Sequence, residues 1–383
     1  MQRTLYLVCR EFREGTGSYA GMFEALARFA HKAGYDVTLF CAQTSRDQPR
    51  HQDLGYAQVI RFPVPRRHLF FVGMNQDYWF LGRALRHHFK RAPIPDEALV
   101  LANSRAAIGL PCERYVLRIG QPAFTFLRNM NIAAEQVTAS TRLARRIHAM
   151  IQWTLERRSV RCARAFVCPS TVTHELNVRA YGNSQAPLFT PQAGVDWQRM
   201  QHGKDLRWKG RNLLFVSAGD ERVRKGVHTL EAAIPAIFRA YPDVSLVHIG
   251  TPFPWKVPDW CKSRITSIGK IPWRRMKDYY TSTDVTVFCA LQEGMPNALL
   301  EAMAAGSPVI TSDIDGVEEL VMHLKSGYIF KRGDSAGLVR AIRFILDDPA
   351  KAEGLGKNGR IVMKAFDNGK VLPRLLAFLE KVT

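Results

Sequence analysis

At 383 residues the chain is longer than one hydrophobic core ordinarily supports, so two domains are the expectation. An apolar fraction of 46% with 23% charged residues is that of a globular protein and excludes disordered and fibrous classes. A net charge of +20 calls for a polyanionic partner or an anionic surface.

Residues 1–196 hold 26 Lys and Arg against 14 Asp and Glu, so the excess leans to the first half. Its densest part, Arg142 to Arg164, has seven arginines and the single acid Glu156 around Leu143, Ile147, Ile151, Leu155 and Val160. A second segment joins Arg66 and Arg67 to Leu69, Phe70 and Phe71. Basic and apolar residues mixed in this way suit an anionic membrane surface, although a solvated arginine face with ordinary core aromatics is the competing reading. Nucleic acid is not expected, because no zinc finger, RRM signature or helix-turn-helix accompanies the charge. The chain has no run of 18 apolar residues, and its first residues lack a signal-peptide core, so a cytoplasmic protein peripheral to the inner face of the membrane is expected. The seven cysteines are scattered, without CxxC or His/Cys ligand spacing, and predict reduced core thiols.

In chain order, Thr4–Cys9 reads as a strand, Gly15-Thr16-Gly17-Ser18 as a glycine loop, Ser18–Ala33 as a helix closed by Gly34, and Asp36–Cys41 as a second strand. This is the opening unit of a nucleotide-type α/β fold. Gly15-Thr16-Gly17-x-x-Ala20 fits a dinucleotide fingerprint, but Ala42-Gln43-Thr44 offers no acid for an NAD ribose. Further strands are predicted at Val59–Phe62, Ala98–Ala102, Tyr115–Ile119, Ala165–Cys168 and Leu188–Phe189, alternating with helices as in a parallel sheet covered on both faces. The polar, basic stretch Gln198–Lys209 reads as a linker. A second series begins at Leu213–Ser217, followed by a loop carrying Arg222, Arg224, Lys225 and Gly226, then strands at Ser245–Gly250, Ile265–Lys270 and Asp284–Cys289. Asp313-Ile314-Asp315 has the spacing of a metal-binding pair, but no metal follows from it. The last helix is expected over about 366–382, with Leu372, Leu375, Leu376 and Leu379 on one face.

The most informative stretch is Leu291–Thr311. Pro296 suits a first helical position, and Gly306-Ser307-Pro308 stops the helix. Leu299, Leu300 and Met303 share one face. Glu293 and Glu301, eight residues apart, bracket the helix start, where amide N–H groups and the positive end of the dipole favour phosphate. Carboxylates beside a phosphate seat suit a ligand with both a diphosphate and many hydroxyls.

Glu293-Gly294-Met295-Pro296-Asn297, then Leu300-Glu301-Ala302-Met303-Ala304-Ala305-Gly306, resembles the E-x7-E motif of retaining GT-B glycosyltransferases of the family 4 type. The resemblance implies two Rossmann-like α/β domains, 1–196 with a returning C-terminal helix (366–383) for the acceptor and 197–365 for the donor, facing a central cleft. It implies that Glu293 contacts the donor sugar and that Gly294, Met295, Pro296, Asn297 and Ala298 hold the diphosphate. Glu301 would take the ribose. Lys225 resembles the family's phosphate-neutralising lysine; the usual arginine place appears as Asp220, with Arg222 or Arg224 as substitutes. Gly15 and Gly17 would face the donor phosphates, and Lys270 and Ile271 the nucleobase. Cys168-Pro169-Ser170-Thr171 and Pro191–Asp196 are similar to further family elements. Where the family often places a histidine, this chain has Gly120-Gln121, and neither His148 nor His174 stands in for it. The implied reaction is transfer from a nucleotide-diphosphate sugar to a hydroxyl acceptor with retention, without metal or other cofactor; the basic first half and the Arg66–Phe71 segment add the expectation of a bacterial cell-envelope glycan as acceptor. A sugar-nucleotide epimerase, an NAD oxidoreductase and a catalytically silent binding subunit remain the alternatives.

Overall fold

The computed structural model describes residues 3–15, 18–65, 75–130, 139–191, 194–217 and 222–383. The chain divides into two compact units, one of Met1–Arg128, Gln136–Ala193 and Gly369–Thr383, the other chiefly Gly194–Asn368.

The first unit holds β1 (Arg3–Val8), β2 (Tyr35–Gln43), β3 (His51–Asp53), β4 (Gln58–Pro63), β5 (Leu99–Asn103), β6 (Val116–Arg118), β7 (Ala165–Val167) and β8 (Leu188–Phe189). They form one sheet in the order β3-β4-β2-β1-β5-β6-β7-β8, parallel throughout except for the β3–β4 pair. Its helices are α1 (Ser18–Lys32), α2 (Asn75–Arg91), α3 (Ala123–Met130), α4 (Ala139–Arg161) and α5 (Thr171–Tyr181). Alternate strand residues feed two cores: Leu99 and Leu101 pack with α1, whereas Val100 and Ala102 pack with α2. This two-sided burial is why the strands read as continuous apolar runs.

In the second unit, β9 (Asn212–Ser217), β10 (Ser245–Gly250), β11 (Ile265–Gly269), β12 (Val285–Phe288), β13 (Val309–Ser312) and β14 (Tyr328–Phe330) form a wholly parallel sheet ordered β11-β10-β9-β12-β13-β14. Around it lie α6 (Trp197–Met200), α7 (Val227–Ala240), α8 (Asp259–Lys262), α9 (Met276–Ser282), α10 (Asn297–Ala305), α11 (Ser335–Leu346) and α12 (Pro349–Met363). The final helix, α13 (Asn368–Val382), belongs to the first unit. Its Val371, Leu372, Leu375, Leu376 and Leu379 complete the core beneath α1, and the Tyr35 hydroxyl donates to Glu380 at 2.5 Å. The α/β expectation with two Rossmann-like parallel sheets and a returning last helix is met.

Three local expectations are corrected. The predicted linker Gln198–Lys209 is instead part of the second unit: Leu206 and Trp208 pack on its core, and the Lys204 and Leu206 amides donate to Asp278 and Ser282. The cysteines are not all reduced core thiols. Cys112 and Cys162 form a disulfide, because the Glu113 amide bonds the Cys162 carbonyl at 2.8 Å and holds the end of α4 against that turn. Strand β3 was absent from the pattern, since His51-Gln52-Asp53 has no β-branched or aromatic residue; a turn at Asp53–Ala57 folds it back on β4.

Gly226, which caps α7, has a φ of 66°, and a Cβ there would lie 1.7 Å from the Cys289 carbonyl oxygen. Gly226→Ala should lower the unfolding free energy by about 2 kcal/mol or more. Gly354→Ala on α12, where a Cβ meets nothing within 4 Å, should stay within about 1 kcal/mol of the parent. Urea unfolding followed by tryptophan fluorescence distinguishes the two.

Candidate functional site

The order of the second sheet reverses direction at β9 and β12, which are direct parallel neighbours while β10 flanks β9 on the other side. At such a reversal the connections leave in opposite directions and open a crevice beyond the strand ends. The loops after β9 and β12 meet there. The Leu291 amide donates to the Arg224 carbonyl at 2.8 Å, and the Cys289 thiol donates to the Gly226 carbonyl at 3.3 Å.

Glu293 sits at this junction. Its Oε1 lies 2.6 Å from an Arg224 guanidinium nitrogen and 2.5 Å from Lys225 Nζ, with all three side chains largely buried. Burial alone would raise the carboxyl pKa, but the charges of Lys225 and Arg224 outweigh it and hold Glu293 below the usual carboxylate value. Lys225, Glu293 and Pro296 line one small cavity of about 10 Å³ above Phe215, Phe288 and Thr311, so the lysine lies beside the helix start as well as the carboxylate.

Helix α10 begins at Asn297, one residue later than Pro296 suggested. Pro296 is extended, with ψ 112°, and its carbonyl accepts the Leu299 amide at 2.9 Å. Leu299, Leu300 and Met303 are buried, which aims the helix start at the loop junction, and Gly306 closes the helix in the left-handed conformation. Met295 is buried in the same core, so Gly294 and Ala298 flank an anchored turn. Glu301 accepts a hydrogen bond from the Tyr280 hydroxyl at 3.0 Å, and burial raises its carboxyl pKa to about 7, partly offset by that bond. The site thus has one carboxylate held ionised by two cations and a second held in balance near neutrality.

Other predicted residues fall elsewhere. Arg222 turns away: its guanidinium donates to Glu231 at 2.7 Å and to the Pro254 carbonyl, and lies over the Phe253 ring. Of the two candidate arginines, Arg224 is the one beside Lys225 and Glu293. Lys270 is exposed just after Gly269, while Ile271 packs on the core. Gly15 lies in the first unit with φ 70°, its amide donating to Glu24 at 2.8 Å; Gly17, Asp220 and the Arg66–Phe71 segment lie outside the described residues. Ser170 and Asp196 are helix N-caps, accepting the Thr173 and Arg199 amides. Gly120 presents its carbonyl to Asn177, and His148 lies half-buried beside Asn75. Asp313 and Asp315 both bind Arg332, at 3.1 and 3.0 Å, and among the described residues no group of three or more His, Cys, Asp or Glu could hold a metal.

Sequence reading missed Tyr280, Arg332 and His248. His248 is buried between Ser217 and Ser267 at 2.7 and 3.2 Å, and burial holds its pKa down to about 4. A lone histidine inside an apolar strand gives no signal until the registers of β9, β10 and β11 are known. Tyr280 could have been sought as the aromatic partner of a glutamate on a buried helix.

Two family models match: "Glycosyl transferase 4-like domain" over residues 15–191 and "Glycosyl transferases group 1" over residues 210–348. With the two parallel-sheet units they define the class, a GT-B fold. The chain belongs to the GT-B glycosyltransferases of the GT4 type. It is similar to glycogen synthase of Mycobacterium tuberculosis, 28% identical over 225 residues, covering 57% of this chain and 53% of the relative. It is also similar to phosphatidyl-myo-inositol mannosyltransferase of Mycobacterium leprae, 26% identical over 182 residues, covering 45% and 47%. The chain therefore spans about half the length of the curated relatives it matches. Among solved structures, sucrose-phosphate synthase from Thermosynechococcus elongatus superposes with a TM-score of 0.79 at 19% identity, covering 99% of this chain and 98% of that one.

The two carboxylates should act oppositely on stability. Glu301, raised to about 7, keeps its proton in the folded protein over a range where the unfolded chain has lost it, so stability falls as pH rises from about 4.5 to 7. Glu293, depressed, stabilises above the ordinary glutamate pKa and loses that contribution as pH falls through it. Glu301→Gln should flatten the decline between those pH values, and Glu293→Gln should flatten the acid limb below about 4.5, in urea midpoints taken across the range.

Proposed function

We propose that the chain transfers a glycosyl group from a nucleoside-diphosphate sugar to a hydroxyl of a cell-envelope glycan or glycolipid, with retention of anomeric configuration. The observation that carries this reading is the convergence of Arg224 and Lys225 on Glu293 beside the start of α10. Two cations next to a helix N-terminus match the charge of a diphosphate, and the stretch that resembles the family's E-x7-E motif spans Glu293 and this helix start. In this reading Arg224, Lys225 and the Asn297–Ala298 helix start receive the diphosphate. Glu293 then exchanges the two cations for hydroxyls of the donor sugar, and Glu301 accepts from the ribose. Lys270 and Ile271 complete the contacts, to the base.

The bond from the anomeric carbon to the diphosphate oxygen breaks as the bond to the acceptor oxygen forms. The acceptor proton passes to the departing phosphate on the same face of the sugar, so no covalent nucleophile is required. Arg224 and Lys225 stabilise the charge that grows on the leaving group, and this electrostatic help supplies what a metal would otherwise provide. The resemblance to a mannosyltransferase named for a phosphatidyl-inositol and the +20 net charge together support an acceptor at an anionic membrane surface.

Thermal-shift screening with UDP, GDP, ADP, CMP and their sugars should give stabilisation by one base family. Lys225→Ala should reduce turnover of the selected donor by about 100- to 1000-fold, the scale of losing one charge-stabilising donor. Stabilisation by none of these ligands, or unchanged turnover in the variant, removes the reading.

A further inference from the structure

The first sheet reverses as the second does. Strand β1 pairs with β2 on one side and with β5 on the other, so the loops after β1 and β5 part at a crevice beyond the strand ends. Ser104, the first residue past β5, holds φ 48°, a left-handed conformation that a residue with a Cβ keeps only where its surroundings impose it. It opens the 3-10 turn Ser104–Gly109, and the next residue, Arg105, lies over the Tyr78 ring at 4.4 Å.

A polar network spans this turn and three helices. Arg10, after β1, binds Asp77 of α2 at 3.0 Å and Glu11 at 3.2 Å. Arg105 donates to the side-chain oxygen of Asn75, and its Nε lies 3.8 Å from Glu156 of α4. Glu156 accepts in turn from Gln152 at 2.7 Å and from the Tyr181 hydroxyl of α5. Asn75, Asp77 and Glu156 are at most 2% exposed, so they hold their neighbours in place. Arg10, Arg105 and His148 are partly exposed and form the accessible edge.

One sequence of donors fixes the protons at that edge. A guanidinium only donates, so the Asn75 oxygen faces Arg105 and its NH2 faces His148. That NH2 lies 3.4 Å from His148 Nδ1, which therefore accepts and leaves the ring proton on Nε2. Burial, helped by the charge of Arg105, lowers the His148 pKa and keeps the ring neutral. Among the described residues nothing accepts the Nε2–H, nor the second terminal nitrogen of Arg105.

Charge decides what these donors await. Arg10 and Arg105 already face the carboxylates of Glu11, Asp77 and Glu156, which leaves the cluster no surplus positive charge for a phosphate. Charge-matched donors and acceptors on fixed, planar side chains suit the hydroxyls of an uncharged ring instead. We infer that Arg10, Arg105 and His148, held by Asp77, Glu156 and Asn75, bind an uncharged sugar ring of the acceptor at the β1–β5 crevice. This rests on the reading of transfer to a hydroxyl acceptor and deepens it by naming the residues that select the acceptor and its chemical class.

The test uses the whole protein with the donor that thermal-shift screening selects. Octyl glycosides of glucose, galactose, mannose and N-acetylglucosamine are compared with glucose 6-phosphate and mannose 6-phosphate as acceptors, by acceptor-dependent release of nucleoside diphosphate. At least one octyl glycoside should be used in preference to both sugar phosphates. His148→Ala should raise KM for that glycoside about tenfold, the scale of one lost hydrogen bond, with donor KM within about twofold of the parent. His148→Gln, whose amide nitrogen can take the place of Nε2–H, should restore the acceptor KM to within about threefold. Arg105→Lys keeps the charge but loses the planar fork, and should raise the same KM about tenfold. Nucleotide-dependent thermal shifts as in the parent show that the variants are folded. Acceptor KM unchanged in both His148→Ala and Arg105→Lys, or a donor KM that rises as much as the acceptor KM, overturns the assignment of these residues. Preference for a sugar phosphate, or use of no octyl glycoside, overturns the uncharged-ring class, while stabilisation by a nucleotide sugar leaves the transfer reading in place. If no nucleotide sugar stabilises the protein, the transfer reading fails and this inference falls with it.

Discussion

A single carboxylate held between two cations organises the second unit's site. Glu293 is largely buried, and Arg224 and Lys225 make its charge tolerable there. A buried pair of this kind is weak evidence for stability by itself, because desolvation cancels much of the attraction. Its value lies in what it stores: two cations kept in place, partnered by a group that is itself useful once they are given something better. In the proposed reading a diphosphate, which carries more charge than one carboxylate, displaces it and leaves Glu293 to accept hydrogen bonds from hydroxyls instead. The loops bearing these groups would otherwise be independent, and the Leu291–Arg224 backbone bond and the Cys289 thiol fix their spacing.

The reversal in strand order explains why these loops are neighbours at all. Lys225 follows β9 and Glu293 follows β12, about seventy residues later, yet the two strands pair directly. Each further element then has one task. Buried Leu299, Leu300 and Met303 set the direction of α10, left-handed Gly306 ends it, and Tyr280 holds Glu301 from the adjacent helix. Asp313 and Asp315, which look like metal ligands in one dimension, are occupied by Arg332, whose guanidinium ties β13's exit to the turn after β14.

Much of this was legible in the chain itself, for identifiable reasons. The apolar strand runs, the Leu299–Met303 face and the Gly306 stop are local signals set by helical or strand periodicity and by backbone conformation. Residues whose role depends on a distant partner were not legible. Nothing near Arg222 says that Glu231 and the Pro254 carbonyl will draw it away, nor that Arg224 will be the one left beside Lys225. The Cys112–Cys162 disulfide joins residues fifty apart with no motif between them, and His248 gains its serine partners only through sheet register. The close approach of α2 to residues 104–109 depends likewise on Gly82 and Gly109, whose meeting is a matter of tertiary packing.

The placement of α13 has a consequence for how the molecule is made. The second unit is essentially one uninterrupted stretch, whereas the first is closed by a segment translated after it. During synthesis the earlier sheet emerges with the groove under α1 still empty, lacking Leu372, Leu375 and Leu379. The later-encoded half can therefore reach its native packing while the earlier one still waits on the ribosome for its missing strip of leucines, inverting the usual order in which a growing chain completes its domains.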